Sequence, residues 1–173
     1  RALLLVAGWN PGRPLIDPMM GAGTLVIEAA TMARGWAPGR GRGFAAEATP
    51  RWRADVEQAA RRREATPADS TPFVIVGRDK AEGALAAARG NATRAGVAAD
   101  LDLGRADVRE GGPEALALDG AVLVCNPPYG RRVGGPARQL APVFAGLGAS
   151  IRRLGPGGSA AVLVPDRQLL DAT

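Results

Sequence analysis

An α/β domain with a mostly parallel sheet and helices on both faces is what this sequence predicts, and three observations predict it. Short apolar runs alternate with helical patterns, which is how βαβ units read in sequence. The runs, such as Val122-Leu123-Val124, are continuously apolar, as strands buried on both faces must be. A turn containing Gly21 and Gly23 joins the first run to the first long apolar helix, a strand-to-helix turn with little side chain.

In chain order, "RALLLVAGW" starts in helical register with no start signal. Strands are expected near 14–17, 73–78, 101–106, 119–125 and 159–164. Thr24–Arg34 and Lys80–Ala95 read as helices, and a third is expected between Pro136 and Leu154. The Lys80–Ala95 helix puts Ala81, Ala84, Leu85, Ala88, Ala92 and Ala95 on one face, with Gly96 placed to end it. Residues 35–72 form an Arg-, Gly- and Pro-rich insertion with a small helix of its own. There Thr49 can cap, Pro50 fits the first helical position, and Trp52, Val56, Ala59 and Ala60 make an apolar stripe. The sequence contains no internal repeat. "QLLDAT" stops just after the fifth strand, where open sheets of this kind usually continue, so the chain is expected to be a truncated fragment.

At 173 residues and 46% hydrophobic content the chain can bury one core, and a single domain over 1–173 is expected. No apolar run approaches the roughly 20 residues needed to span a bilayer. The single cysteine, Cys125, has no partner for an intrachain disulfide, and no leader pattern is present, which together predict a cytoplasmic location. The net charge of +5 comes almost wholly from arginine, since Lys80 is the only lysine. A basic surface suits a polyanion such as nucleic acid, although an Ala/Arg/Gly-rich composition can also reflect coding bias. The absence of histidine removes Ser-His and Cys-His nucleophilic machinery and any His-ligated metal site, so no metal is expected.

In "LIDPMMGAGTLVIEAA" the glycine turn brings backbone N–H groups and a helix N-terminus up to a ligand. Asp17 is acidic where a phosphate loop prefers basic or neutral groups, there is no G-K-[ST] ending, and Val26 occupies the position of the third Rossmann glycine. A carboxylate at the strand tip repels pyrophosphate and attracts a cation. The second strand, "FVIVGRD", carries Asp79 where an acid reaches ribose hydroxyls, and Asp107 follows the third strand, where it can accept from an adenine amino group. Each acid alone is more often a solvated turn residue or a helix cap. Three at successive strand tips point to an adenosine ligand with an attached cation, which S-adenosylmethionine fits better than NAD or ATP.

The stretch "VLVCNPPYG" ends the fourth strand beside the first, at the point where strand order reverses and ligands lodge. Pro127 and Pro128 fix consecutive φ angles, so Asn126 is presented rigidly. The carbonyl oxygens of Asn126 and Pro127 can accept both hydrogens of a planar exocyclic amine, and Tyr129 can stack on the base that bears it. A plain Pro-Pro turn with a surface tyrosine is the competing reading. Cys125 is expected to be a buried core thiol and not a nucleophile, because it lies within the apolar run and has no base to activate it.

With "AGW" before the first strand, "DPMMGAGTLVIEAA", "APGRGRGF", "GRDKAEGALAAARGNATRAGV" and "NPPYGRRVG", nearly the whole chain resembles the catalytic domain of the THUMP-associated RNA guanine-N2 methyltransferases, nearest to the RlmL type acting on 23S rRNA. "NPPY" alone is shared with adenine-N6 and glutamine-N5 methyltransferases. The resemblance implies a Rossmann-like class I S-adenosylmethionine-dependent fold. It assigns the methionine end of the cofactor to Asp17, Pro18, Gly21, Gly23 and Thr24, the ribose to Asp79 and the adenine to Asp107, with Asn126 bordering the cofactor. Asn126, Pro127, Pro128 and Tyr129 match the target-base motif. Met20 and Ala22 depart from the family's usual Cys and Ser, and Arg131 replaces an acidic residue. The expected activity is methylation of guanosine N2 in RNA, most simply 23S rRNA. The alternatives are a tRNA guanine-N2 enzyme, an adenine-N6 or protein glutamine-N5 methyltransferase, and an inactive cofactor- or RNA-binding module. An N-terminal RNA-binding domain and the final strands are expected to lie outside this chain.

Overall fold

A computed structural model describes residues 1–36, 73–111, 113–128 and 137–164. The elements run α1 (Ala2–Val6), β1 (Leu15–Asp17), α2 (Thr24–Ala33), β2 (Ile75–Asp79), α3 (Glu82–Ala95), β3 (Leu101–Arg105), β4 (Val122–Cys125), α4 (Ala137–Arg152) and β5 (Ser159–Val162), with single-turn 3-10 helices before β3 and between β3 and β4. The five strands form one sheet in the order β3-β2-β1-β4-β5, and every neighbouring pair is parallel. β1 is therefore central, and the order reverses between β1 and β4. The insertion helix at Thr49 to Ala60 and Tyr129 lie outside the described residues.

Consecutive strand residues point to opposite faces, and two cores follow from that alternation. Leu15, Ile75, Val122 and Val124 pack with Leu4 of α1, Val26, Ala29 and Ala30 of α2, and Leu85 and Ala88 of α3. Ile16, Val76, Leu123 and Cys125 pack on the other face against Leu140, Val143, Phe144 and Leu147 of α4. Each fully buried large side chain among these contributes about 1.5–3 kcal/mol relative to exposure. β3, at an edge of the described sheet, is only partly covered.

Strand ends differ from the sequence expectation in a regular way. The run 119–125 shortens to Val122–Cys125 because Gly120 adopts φ +69° and donates its N–H to the Pro156 carbonyl at 2.7 Å, leaving the ladder. β2 starts two residues later than expected, at Ile75, and ends one residue later, since Asp79 keeps its place opposite Arg105. α3 begins at Glu82 and not at Lys80, because the Asp79 carboxylate takes the Ala81 N–H at 2.9 Å and turns the chain first. Ala81 is consequently exposed and does not join the buried stripe. Gly96 ends α3 at φ +74°, as its position predicts.

At the N-terminal edge of the sheet one arginine gathers the strand starts. Arg13 donates to the carbonyls of Gly120 (2.8 Å), Gly8 (3.0 Å) and Gly157 (2.9 Å) and to the Ser159 hydroxyl (3.1 Å). Its own carbonyl accepts the indole N–H of buried Trp9 at 2.9 Å. That leaves the opposite, C-terminal edge as the place where the strand tips open towards a ligand.

Candidate active site

The loop from Pro18 to Gly23 is held by its backbone more than by its side chains. Met20 donates its N–H to the Arg78 carbonyl at 2.9 Å, and Gly21 donates to Oδ2 of Asp79 at 3.0 Å, so the tip of β2 grips the loop twice. Gly21 and Gly23 adopt φ +54° and +85°, and a Cβ on Gly23 would lie 3.1 Å from Cβ of Ala88 on α3. Glycine is therefore required at position 23 by both torsion and space. Gly23 is the N-cap of α2 and has no side chain to offer, so among the described residues the first-turn N–H groups from Thr24 onward receive no side-chain cap.

The three acids occupy successive strand tips but differ in state. Asp17 closes β1, is 1% exposed, and accepts the Met19 N–H on Oδ1 at 3.1 Å. Burial pushes its carboxyl from the ordinary 3.8 up to about 7; the Met19 N–H opposes the rise and the nearby Asp79 charge adds to it. Desolvation thus makes Asp17 titrate near neutrality, a state that the sequence alone does not signal. Asp79 at the end of β2 uses one oxygen for Gly21 and the other for Ala81, and each oxygen retains a second lone pair. Asp107 lies two residues beyond β3 and caps the 3-10 turn Val108–Glu110 through the Arg109 N–H at 3.0 Å. The Arg109 side chain also donates to both oxygens of Asp107, with Nε at 2.9 Å from each. That guanidinium, with the Arg109 N–H, holds the carboxyl down at about 2. A cleft of about 650 Å³ opens beside Lys80, Ala81, Arg105, Asp107 and Arg109.

Asn126 follows the last residue of β4 directly and is exposed, whereas Pro127 behind it is buried and Pro128 partly so. Cys125 is fully buried in the core facing α4, as the sequence predicts. Burial, together with the Asp17 and Asp79 charges, pushes its thiol well above the usual range, so it is no nucleophile.

Thus Asp17, Asp79, Asp107 and Asn126 stand at the C-terminal tips of four neighbouring strands, and Pro18, Gly21, Gly23 and Thr24 form the turn between the first of them and α2. The arrangement offers acceptors for hydroxyl and amino hydrogens, uncapped backbone donors, and a rigid carboxamide at the switch point. Three participants are not evident in the sequence. Arg109 clamps Asp107; Asn91 of α3 donates to the Ala22 carbonyl at 2.8 Å; and Met20 packs over Gly77, where a Cβ would come within 2.5 Å of its sulfur. Only the last had a signal, a glycine inside a strand, which marks close approach of another group.

Comparison with known proteins places the chain in a family and a fold. The family model described as "RMKL-like, methyltransferase domain" matches residues 1–173. The "Ribosomal RNA large subunit methyltransferase K/L" of Photobacterium profundum is 37% identical over 98% of this chain and 24% of its own length. Two solved structures superpose closely. "SMU.472, a putative methyltransferase complexed with SAH" has a TM-score of 0.84 and 27% identity over 99% of this chain and 44% of its own. A "predicted N6-adenine-specific DNA methylase" from Listeria monocytogenes has 0.82 and 30% over 99% and 44%. The chain spans about a quarter of the length of the curated relatives it matches. Matched from residue 1 to residue 173 by that family's model, the chain belongs to the RMKL-like methyltransferase domain family.

Proposed function

We propose that residues 1–173 are the catalytic domain of a longer protein that transfers a methyl group from S-adenosylmethionine to the exocyclic N2 amine of a guanosine in RNA, specifically 23S rRNA. The observation that carries this is the row of Asp17, Asp79, Asp107 and Asn126 at four adjacent strand tips. The ribosomal RNA name of the Photobacterium relative and the SAH complex of the superposed structure support it. RNA is then the partner, the cytoplasm the place of work, and no metal takes part.

The cofactor, when bound, supplies an electrophilic methyl on a cationic sulfur. Asp79 is placed for the ribose hydroxyls, because its two oxygens keep lone pairs beyond Gly21 and Ala81. Asp107 reaches an adenine amino group through a lone pair that Arg109 does not use. Asp17, with Pro18, Gly21, Gly23 and Thr24, surrounds the methionine end, where a cationic neighbour favours the ionised form of the buried carboxyl. Asn126 and the Pro127 carbonyl hold the two hydrogens of the target amine, which turns its lone pair outward. As that nitrogen gains charge, these fixed dipoles stabilise it without reorganising. Tyr129, in the same motif, is assigned to stack on the base, and Pro128 keeps the turn stiff. The methylated amine sheds its proton readily, so no histidine or free cysteine is needed as a base.

The test is to give the full-length protein unmodified rRNA and labelled cofactor and digest the product to nucleosides. N2-methylguanosine is expected. Label recovered chiefly as N6-methyladenosine, the chemistry named for the Listeria structure, or on protein, would overturn the substrate assignment.

A further inference from the structure

Asn91 lies on α3, away from the strand tips, yet it touches the glycine turn. Its Nδ2 donates to the Ala22 carbonyl at 2.8 Å, and its Oδ1 accepts from the Arg94 guanidinium one turn along the helix. The two contacts fix which way the carboxamide points, since flipping it would set oxygen against oxygen at Ala22 and nitrogen against nitrogen at Arg94. The other side of the same peptide unit is also held: the Gly23 N–H donates to the Met20 carbonyl at 2.9 Å. The Ala22–Gly23 peptide is thus pinned at both ends, by α3 through Asn91 and by the loop itself.

The orientation of this peptide decides where α2 starts. Gly23 is the N-cap, with its Cα region pressed against Ala88, so the pinned Ala22–Gly23 peptide is the last unit before the first-turn donors of α2. A side chain in the third turn of a neighbouring helix therefore holds the peptide on which the first turn of α2 is built.

We infer that Asn91 is a positioning residue for the cofactor loop, acting through the Ala22–Gly23 peptide and itself oriented by Arg94; this rests on the S-adenosylmethionine reading given above. Its contribution belongs to cofactor affinity and not to the transfer step, because nothing it touches faces the target base.

The experiment compares the full-length protein with its Asn91→Asp and Asn91→Gln variants. A carboxylate at 91 keeps the shape and the Arg94 contact but cannot donate, and it sets negative charge against the Ala22 oxygen. Asn91→Asp should weaken binding of S-adenosylhomocysteine by about tenfold or more, raise KM for the cofactor in parallel, and leave kcat at saturating cofactor within about twofold. Asn91→Gln, which retains the donor, should recover part of the loss. The Gly23 amide should exchange hydrogen faster in Asn91→Asp than in wild type. Undiminished affinity with unchanged Gly23 exchange in a folded Asn91→Asp protein would overturn the positioning role. Failure of the wild type itself to bind S-adenosylhomocysteine would instead remove the cofactor reading beneath it.

Discussion

Oδ2 of Asp79 accepts the backbone N–H of Gly21 at 3.0 Å, joining the tip of β2 to the glycine turn that follows β1. One carboxylate thereby shapes the loop and keeps acceptor capacity for a ligand. Asp79→Ala should lose both, weakening S-adenosylhomocysteine binding by at least about 1.5 kcal/mol because a charge-assisted hydrogen bond disappears. Titration calorimetry reads this directly, and unchanged affinity would remove Asp79 from the site.

Asn126 should behave oppositely. It is exposed and no part of the core, so Asn126→Ala should leave stability and cofactor affinity nearly as they are while lowering kcat by about a hundredfold or more. Normal turnover by this variant would end the amine-clamp reading.

Asp17 provides a pH signature. Its folded-state value of about 7 lies above the ordinary 3.8, so the native protein holds this proton more tightly than the unfolded chain. The contribution to stability is present at and below ~4, falls as pH rises through about 7, and is gone above that. Asp17→Asn removes the term, so its stability relative to wild type should climb from pH ~4 to ~8 by an amount on the order of a few kcal/mol. Urea melts across that range test it, and parallel curves for the two proteins would contradict a raised carboxyl. A cationic cofactor beside Asp17 should also release a proton on binding near neutrality, visible as a dependence of the calorimetric heat on buffer.

Gly77 and Met20 form a size-matched pair. A Cβ at 77 would meet the Met20 sulfur at 2.5 Å and Leu103 Cδ2 at 2.8 Å. Gly77→Ala should destabilise by about 1–3 kcal/mol through overpacking, and Met20→Ala in the same chain should relieve part of that cost. Additive losses in a double-mutant cycle would show that the two residues do not share the space.

Much of this site is written in local sequence. The glycines at 21, 23 and 96 mark left-handed backbone, and the structure gives each a positive φ. The acids at the strand tips and the apolar run before Asn126 were legible because strand period and turn chemistry act over a few residues. What escaped depends on distant contacts. Asp17 looks like any carboxylate until the loop after it closes over its side chain. Asn91 is one polar residue in an alanine-rich helix, and only packing of α3 on the turn reveals its partner, 69 positions earlier. Arg109 reads as a surface cation, yet it is spent on Asp107. The stacking assigned to Tyr129 and the helix expected near Thr49 lie outside the described residues.

The arginine staple at the far edge of the sheet bears on how the chain acquires its structure. Arg13 reaches Gly120 and Gly157, partners 107 and 144 positions away, and β1 cannot complete its central place until strands from well downstream have arrived. Closing such distant contacts costs loop entropy before it returns any energy, which makes folding slow and late-committing. During synthesis the nascent chain must carry an unpaired, apolar β1 until β2 and β4 emerge, and the staple locks only when Ser159 follows them. Until β2 and β4 have emerged the glycine turn has strands on neither side to hold it, so ligand-binding competence should return late when the protein refolds.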